Sequence, residues 1–166
     1  VTTLKLPTAR LTAIGWLAVA VPGFTTAMVG PTLPADPAKW TATGFVRVGP
    51  IVGGSPDDEL PMAKPVLSLH VYGVNGTQAP GGSWSWSSKP PWDRTAQLCE
   101  RIRNAVVAAT YDGGVTRQIA MPVAGYAHAY VHAVSMLSEP REALGDVSSF
   151  AHHQFDLQFT WTPEAV

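Results

Sequence analysis

The sequence predicts an α+β fold: a four-stranded, mainly antiparallel sheet, one central helix packed on it, and a further helix at the N-terminus. Three observations carry this. Residues 92–109 place Leu98, Cys99, Ile102, Ala105, Val106 and Ala109 at helical spacing, with Arg94, Gln97, Arg101, Arg103 and Asn104 largely on the other side. Residues 153–161 alternate Phe155, Leu157, Phe159 and Trp161 with Gln154, Asp156, Gln158 and Thr160, the pattern of a half-buried strand. Strand-like runs lie on both sides of the helix in the chain, which suits a helix laid across a sheet.

The elements follow in order. Thr8 can cap a buried helix over residues 8–21, with Leu11, Ile14, Leu17, Ala18 and Val21 as its apolar face and Pro22-Gly23 as its stop. Lys5, Arg10 and Ala18-Val19-Ala20 give this run the outline of a secretory signal. We read it instead as part of the mature chain, preceded at most by an initiator methionine. It is also short of the ~20 apolar residues that a membrane span needs. Residues 24–40, with Pro31, Pro34 and Pro37, make an ordered connector. Residues 45–52 form the first strand, with Val46, Val48 and Val52 on one face, and Pro50 demands an edge position or a bulge. Residues 66–72 form the second, with Leu67, Leu69 and Val71 facing opposite to Ser68, His70 and Tyr72. Between them, residues 53–61 should project as a flexible arm.

Residues 73–91 are a second long loop, holding Asn75-Gly76, Gly81-Gly82, Trp84 and Trp86. Asn75-Gly76-Thr77 matches a glycosylation acceptor, but Asn-Gly reads more simply as a turn. The central helix follows Pro90-Pro91, is capped by Asp93, spans ~25 Å and stops at Asp112-Gly113-Gly114. A short irregular strand is expected at 116–123 and a central strand at 129–137, where both faces are apolar. A loop at 138–149 carries one helical turn at 141–144, and the last strand is 153–161.

The chain is read as a single domain, 1–166, with the helix at about 8–21 and the sheet-plus-helix body at about 44–162. Charged residues are 14% of the chain, well below the usual quarter, and the formal net charge is −1. A surface so poor in charge points to burial against copies of the chain or partners. The balance speaks against tight phosphate binding. A lone Cys99 excludes an internal disulfide and fits a small buried apolar position.

His128 and His132 are four apart, but on a strand they stand ~13 Å from each other, too far to share one ion. His152 and His153 are adjacent and face opposite ways. There is no Cys-x-x-Cys, His-Glu-x-x-His, Gly-x-Ser-x-Gly or P-loop pattern. No catalytic residue, metal or cofactor is assigned. The carboxylates Asp57, Asp58 and Glu59 read as a solvated loop tip or a contact with a neighbouring protein. Trp84 and Trp86 need something to pack on: their own domain, a subunit interface, or a sugar or base. Arg94 and Arg101 are possible partners for an acidic arm reaching from another copy.

Taken in order, several segments resemble the tail terminator proteins of long-tailed bacteriophages, particularly those infecting actinobacteria. They are the N-terminal helix ending at Pro22-Gly23, Pro31-Thr-Leu-Pro34 leading to Trp40, and Gly44-Phe-Val-Arg-Val48 with Gly53-Gly54 behind it. With them go Pro65-Val-Leu-Ser-Leu-His-Val-Tyr-Gly73, the helix from Trp92 to Ala105, and a strand ending Phe159-Thr-Trp161. The tryptophan loop and the acidic arm depart from that pattern. The resemblance implies a virion protein with no enzymatic activity and no membrane association. It implies a hexameric ring of this chain on the head-proximal end of the tail. There it would stop polymerisation of the tail tube protein, meet the head-completion or stopper protein, and let DNA pass. A tail tube or stopper protein is the alternative within this class. A carbohydrate-binding module using Trp84 and Trp86 is the alternative outside it.

Overall fold

The strand with the cleanest alternation lies at the middle of the sheet. The computed structural model describes residues 4–57, 62–111, 117–143 and 149–164. In chain order the elements are α1 (Ala9–Ala20), β1 (Val29–Gly30), a 3-10 turn (Pro37–Lys39), β2 (Phe45–Asp57), β3 (Met62–Val74), β4 (Gly76–Gln78) and β5 (Trp84–Trp86). Then come α2 (Trp92–Tyr111), β6 (Arg117–Ile119), β7 (Ala129–Met136), β8 (Arg141–Glu142) and β9 (Phe150–Pro163). The main sheet has the order β1-β2-β3-β9-β7-β6, with β8 also on β9; β4 and β5 form a separate two-stranded ribbon. Only the β1–β2 pair is parallel.

The four expected strands are therefore adjacent, as β2-β3-β9-β7, but the sheet has seven strands rather than four. Of the other three, β6 falls within the short irregular strand expected at 116–123, and β1 and β8 are two residues long, too short to show an alternation. Residues 129–137 were expected at the centre, yet β7 lies next to the edge strand β6, and β3 and β9 are the central pair. The expected helical turn at 141–144 is instead β8 over Arg141–Glu142, paired to Gln154 and His153; Leu144 lies outside the described residues. The expected stop at Asp112-Gly113-Gly114 lies outside them too.

Both helices feed one core on one face of the sheet. Thr8 caps α1 as expected, its Oγ1 accepting from the Leu11 N–H at 3.3 Å. Thr12 through Leu17 are all buried, so α1 is enclosed nearly all round, which its apolar sequence permits. From α2 come Leu98, Cys99, Ile102, Ala105 and Val106, the expected stripe. Asp93 sits inside the first turn of α2 rather than at the cap. The carbonyl of Pro91 instead accepts from the amides of Arg94 and Thr95. Against the helices lie Val46, Val48, Leu67, Leu69, Val71, Phe155, Leu157 and Phe159. Trp16 meets Phe159 edge-on at 5.6 Å, joining α1 to the central strand.

Pro50 does mark a bulge. The β2–β3 register slips between Val48 and Ile51 and again between Ile51 and Gly53. Ile51 thereby stands opposite Leu67, where simple alternation would have put a neighbour. Val52, expected on the core face, is turned out and exposed. The arm expected over 53–61 is largely not a loop. β2 and β3 continue as a paired ribbon to Asp57 and Met62, and Gly54 at φ 95° makes this possible. A Cβ there would collide with the Lys64 carbonyl oxygen as well as force a left-handed backbone on an ordinary residue.

Candidate assembly surfaces

β3 is 13 residues long and lies between β2, paired as far as Met62, and β9, paired as far as Ala63, while a separate ribbon leaves its Val74 end. At the Met62 end is the β2–β3 hairpin. At the Val74 end, Asn75 leads into the β4–β5 hairpin within what was expected to be a loop. Asn75-Gly76 joins two strands there rather than turning a hairpin. Gly76 is needed for another reason: a Cβ would lie 2.5 Å from the Trp86 ring.

Trp84 and Trp86 stack on each other, with ring centres 5.3 Å apart and planes 11° apart. Trp86 also meets Phe150 edge-on at 6.2 Å, and Phe150 meets Trp40 in the same way at 5.5 Å. Trp40, Phe45 and Val74 complete a second small core. Of the expected roles for the two tryptophans, packing on their own domain thus holds for Trp86, while Trp84 rests on Trp86. The ribbon is also pinned at its foot. Arg94 Nη1 donates to the carbonyls of Thr41 at 2.7 Å and Val74 at 3.3 Å, and Nη2 donates to Asn75 Oδ1 at 3.4 Å.

Arg101 is likewise engaged within the chain. It donates to the Pro22 carbonyl through Nε at 3.0 Å and through Nη2, and it lies over the Phe24 ring at 5.1 Å. These bonds tie α2 to the segment after α1. Arg94 and Arg101, proposed from sequence as receivers of an acidic arm, therefore already spend donors on backbone carbonyls of their own chain. Asp57 ends β2, paired with Met62, while Asp58 and Glu59 lie outside the described residues. Arg94 holds the foot of the ribbon that carries the tryptophans, while Arg101 ties α2 to the segment after α1.

The sheet face away from the helices is polar near its centre. His70 Nδ1 and His152 Nε2 are 2.9 Å apart, so one ring must donate and the other accept. Tyr72 stacks on His152 at 4.3 Å. Gln154 donates to Ser68 Oγ at 3.0 Å beside them. His153 faces the other way, as adjacent strand residues must, and meets Trp92 of α2 edge-on at 5.5 Å. His128 lies near Glu164 and Gln118, and His132 near Thr162. Among the described residues no group of three or more His, Cys, Asp or Glu could hold a metal ion. Burial pushes the Cys99 thiol up to about 12, so it stays protonated in the core.

His153 makes a testable pH dependence. It is 9% exposed, and its Nδ1 is buried with no hydrogen-bond partner among the described residues. Burial pushes its imidazole below the ordinary 6.5, with Glu142 opposing and His152 reinforcing the shift. The unfolded chain therefore takes up this proton at a higher pH than the folded one. Stability should fall as pH drops from 6.5 towards the lower folded value, by at most ~1.4 kcal/mol per pH unit for one proton. His153→Leu should remove this share of the slope, read from urea midpoints between about pH 7.5 and about pH 5. Parallel slopes for the two proteins would show that His153 protonates as readily folded as unfolded.

Two surfaces were not seen in the sequence. Past the bulge, Ile51 and Val52 are 58% and 55% exposed on the β2–β3 hairpin. At the far side of the sheet, a notch of about 300 Å³ opens between the end of α1, the last turns of α2 and β7. Trp16, Ala20, Ala105, Ala109 and Val131 line it, with Arg117 exposed at its rim. Pro50 was the available signal for the first. Nothing local signals the second, which needs three distant segments to meet.

No family model and no curated protein matches the chain. Among solved structures, a chain of the virion of a native gene transfer agent particle is similar in fold at a TM-score of 0.46 and 11% identity, over 93% of this chain and 85% of that one. No described helix is long and apolar enough to cross a membrane.

Proposed function

We propose that this chain is a structural protein of a phage-like virion and, more narrowly, a tail terminator. In this role copies form a ring, a hexamer in the family that the sequence resembles, which caps the tail tube and meets the head-completion protein. DNA passes through without being gripped, and the chain has no catalytic role and no cofactor. The observation that carries the reading is a pair of separate exposed features along β3: Ile51 and Val52 on β2, beside Leu67 near its middle, and the hairpin carrying Trp84 at its Val74 end. From Leu67 to Val74 the strand carries them ~23 Å apart. One chain can thus reach a neighbour and a tube below it at the same time. The scarcity of charged residues, 14%, favours buried contact over a free surface.

A specific feature favours a second reading. Asn75, Thr77, Ser85, Ser87 and Trp86 line a groove of about 330 Å³, a combination of ring and hydrogen-bonding groups suited to a saccharide. One experiment separates the two. Tails made in infected cells are imaged with this chain tagged, then with Trp84→Ser, which leaves Trp86 on Phe150. The terminator reading expects the tag at the head-proximal end, and overlong or headless tails when the chain is absent. A tag along the whole tail would make it a tube protein. Normal tails without the chain would end the reading. Quenching of tryptophan fluorescence by saccharides, with normal tails in Trp84→Ser, would establish the second.

A further inference from the structure

The Asn75-Gly76 pair sits where it can react with itself. Asn75 follows the end of β3, and Gly76 opens β4. The Ser87 N–H donates to the Asn75 carbonyl at 2.9 Å, and Gly76 stands opposite Trp86. Bonded and unbonded pairs alternate in an antiparallel ladder, so Gly76 holds an unbonded position and its N–H takes no part in the ladder. Glycine also puts no side chain in the way of that nitrogen.

The Asn75 side chain is held at both of its polar atoms. Nδ2 donates to the Lys89 carbonyl at 3.1 Å, and Oδ1 accepts from Arg94 Nη2 at 3.4 Å. A guanidinium on the amide oxygen draws electrons from Cγ and stabilises negative charge that develops on that oxygen. Asn75 lines two open grooves, so water reaches it. The other asparagine of the chain is Asn104. It is exposed, but it lies inside α2, where the amide of the buried Ala105 is committed to the helix ladder.

We propose that Asn75 is a self-modification site, at which the Gly76 amide nitrogen converts the Asn75 side chain to a carboxylate held by Arg94. The nitrogen gives its proton to water and attacks Cγ, forming a new C–N bond. The Cγ–Nδ2 bond then breaks, and Nδ2 takes up a proton and departs as ammonia, leaving a cyclic imide. Water adds to the imide and opens it. Opening at Cγ gives aspartate, and opening at the backbone carbonyl gives the isomer whose chain runs through the side chain. Water is consumed and ammonia released. The two products act oppositely on the ribbon. Aspartate sets a charge beside Arg94, which already bonds the Thr41 and Val74 carbonyls, and so tightens the ribbon's foot. The isomer lengthens the backbone between β3 and β4 and displaces the hairpin that carries Trp84 and Trp86. Neither effect depends on what the ribbon meets in an assembly.

The full chain is aged in mildly alkaline heavy-oxygen water, folded and in urea, and its peptides are read by mass spectrometry. In the folded chain residue 75 should take up heavy oxygen while Asn104 stays an amide. Uptake at residue 75 in urea but not in the folded chain overturns the proposal, and so does equal uptake at both asparagines. Arg94→Lys should slow the folded reaction roughly tenfold, a half-exposed donor being worth less than one in a closed site, and leave the rate in urea unchanged. Equal rates in the two folded proteins overturn the part given to Arg94. Asn75→Asp tests the product with Arg94 intact. It should unfold at a higher urea concentration than the wild-type chain, and concentrated salt should erase the gain. A lower midpoint, or a gain that salt leaves unchanged, overturns retention of the carboxylate by Arg94.

Discussion

Phe159→Ala should lower the free energy of unfolding by about 3–5 kcal/mol, the range for removing a large ring from a packed interior. Phe159 is fully buried on β9, and β9 is paired to β3 on one side and to β7 and β8 on the other. Its ring stands edge-on to Trp16, so the substitution opens a cavity where α1 meets the middle of the sheet. Neither neighbour can collapse easily: Trp16 is held in a helix buried from Thr12 to Leu17, and β9 is fixed by its ladders. Val52→Ala is the contrast. It removes an exposed side chain and should change stability by no more than about half a kcal/mol. Urea unfolding of the two variants measures both. Equal effects would mean that the burial pattern of the sheet is inverted.

Ile102→Ala should cost about 2–5 kcal/mol, with the spread set by how far the site relaxes. Ile102 is fully buried at the centre of the α2 stripe, between Leu98 and Val106 and in the same core as Phe155, Leu157 and Phe159. A loss below about half a kcal/mol would remove α2 from the core. The two substitutions share one core, so their effects should not add when combined.

Long periodic segments were legible in the sequence because burial repeats along them. The α2 stripe and the alternation through Phe155, Leu157, Phe159 and Trp161 place the same residues inside as the structure does. Thr8 and Pro50 were legible for a different reason: each imposes a local backbone rule, a cap and a break in the ladder. What escaped were features with no period. β1 and β8, each two residues long, pair on the edges of β2 and β9. The β4–β5 hairpin hid in a glycine-serine run whose two tryptophans were its only strand-like signal. Arg94 and Arg101 looked like free charges because their acceptors, the carbonyls of Thr41, Val74 and Pro22, belong to distant segments. The exposure of Ile51 and Val52 escaped as well, since it follows from where cover stops rather than from their own chemistry.

The central position of β9 has a kinetic side. Of the described strands it comes last in sequence, and its contacts with β3 join residues such as His70 and His152, 82 positions apart. Pairings that distant are slow to form, because a long loop must close before any contact rewards it. During synthesis at ~5–20 residues per second, β3 waits roughly 4–16 s for the strand that belongs beside it. Through that interval Leu67, Leu69 and Val71 lie on a hairpin whose inner edge is bare. With so few charges to hold nascent chains apart, one unfinished copy can pair with another through that edge. Arrival of β9 removes the inner edge of β3 from reach.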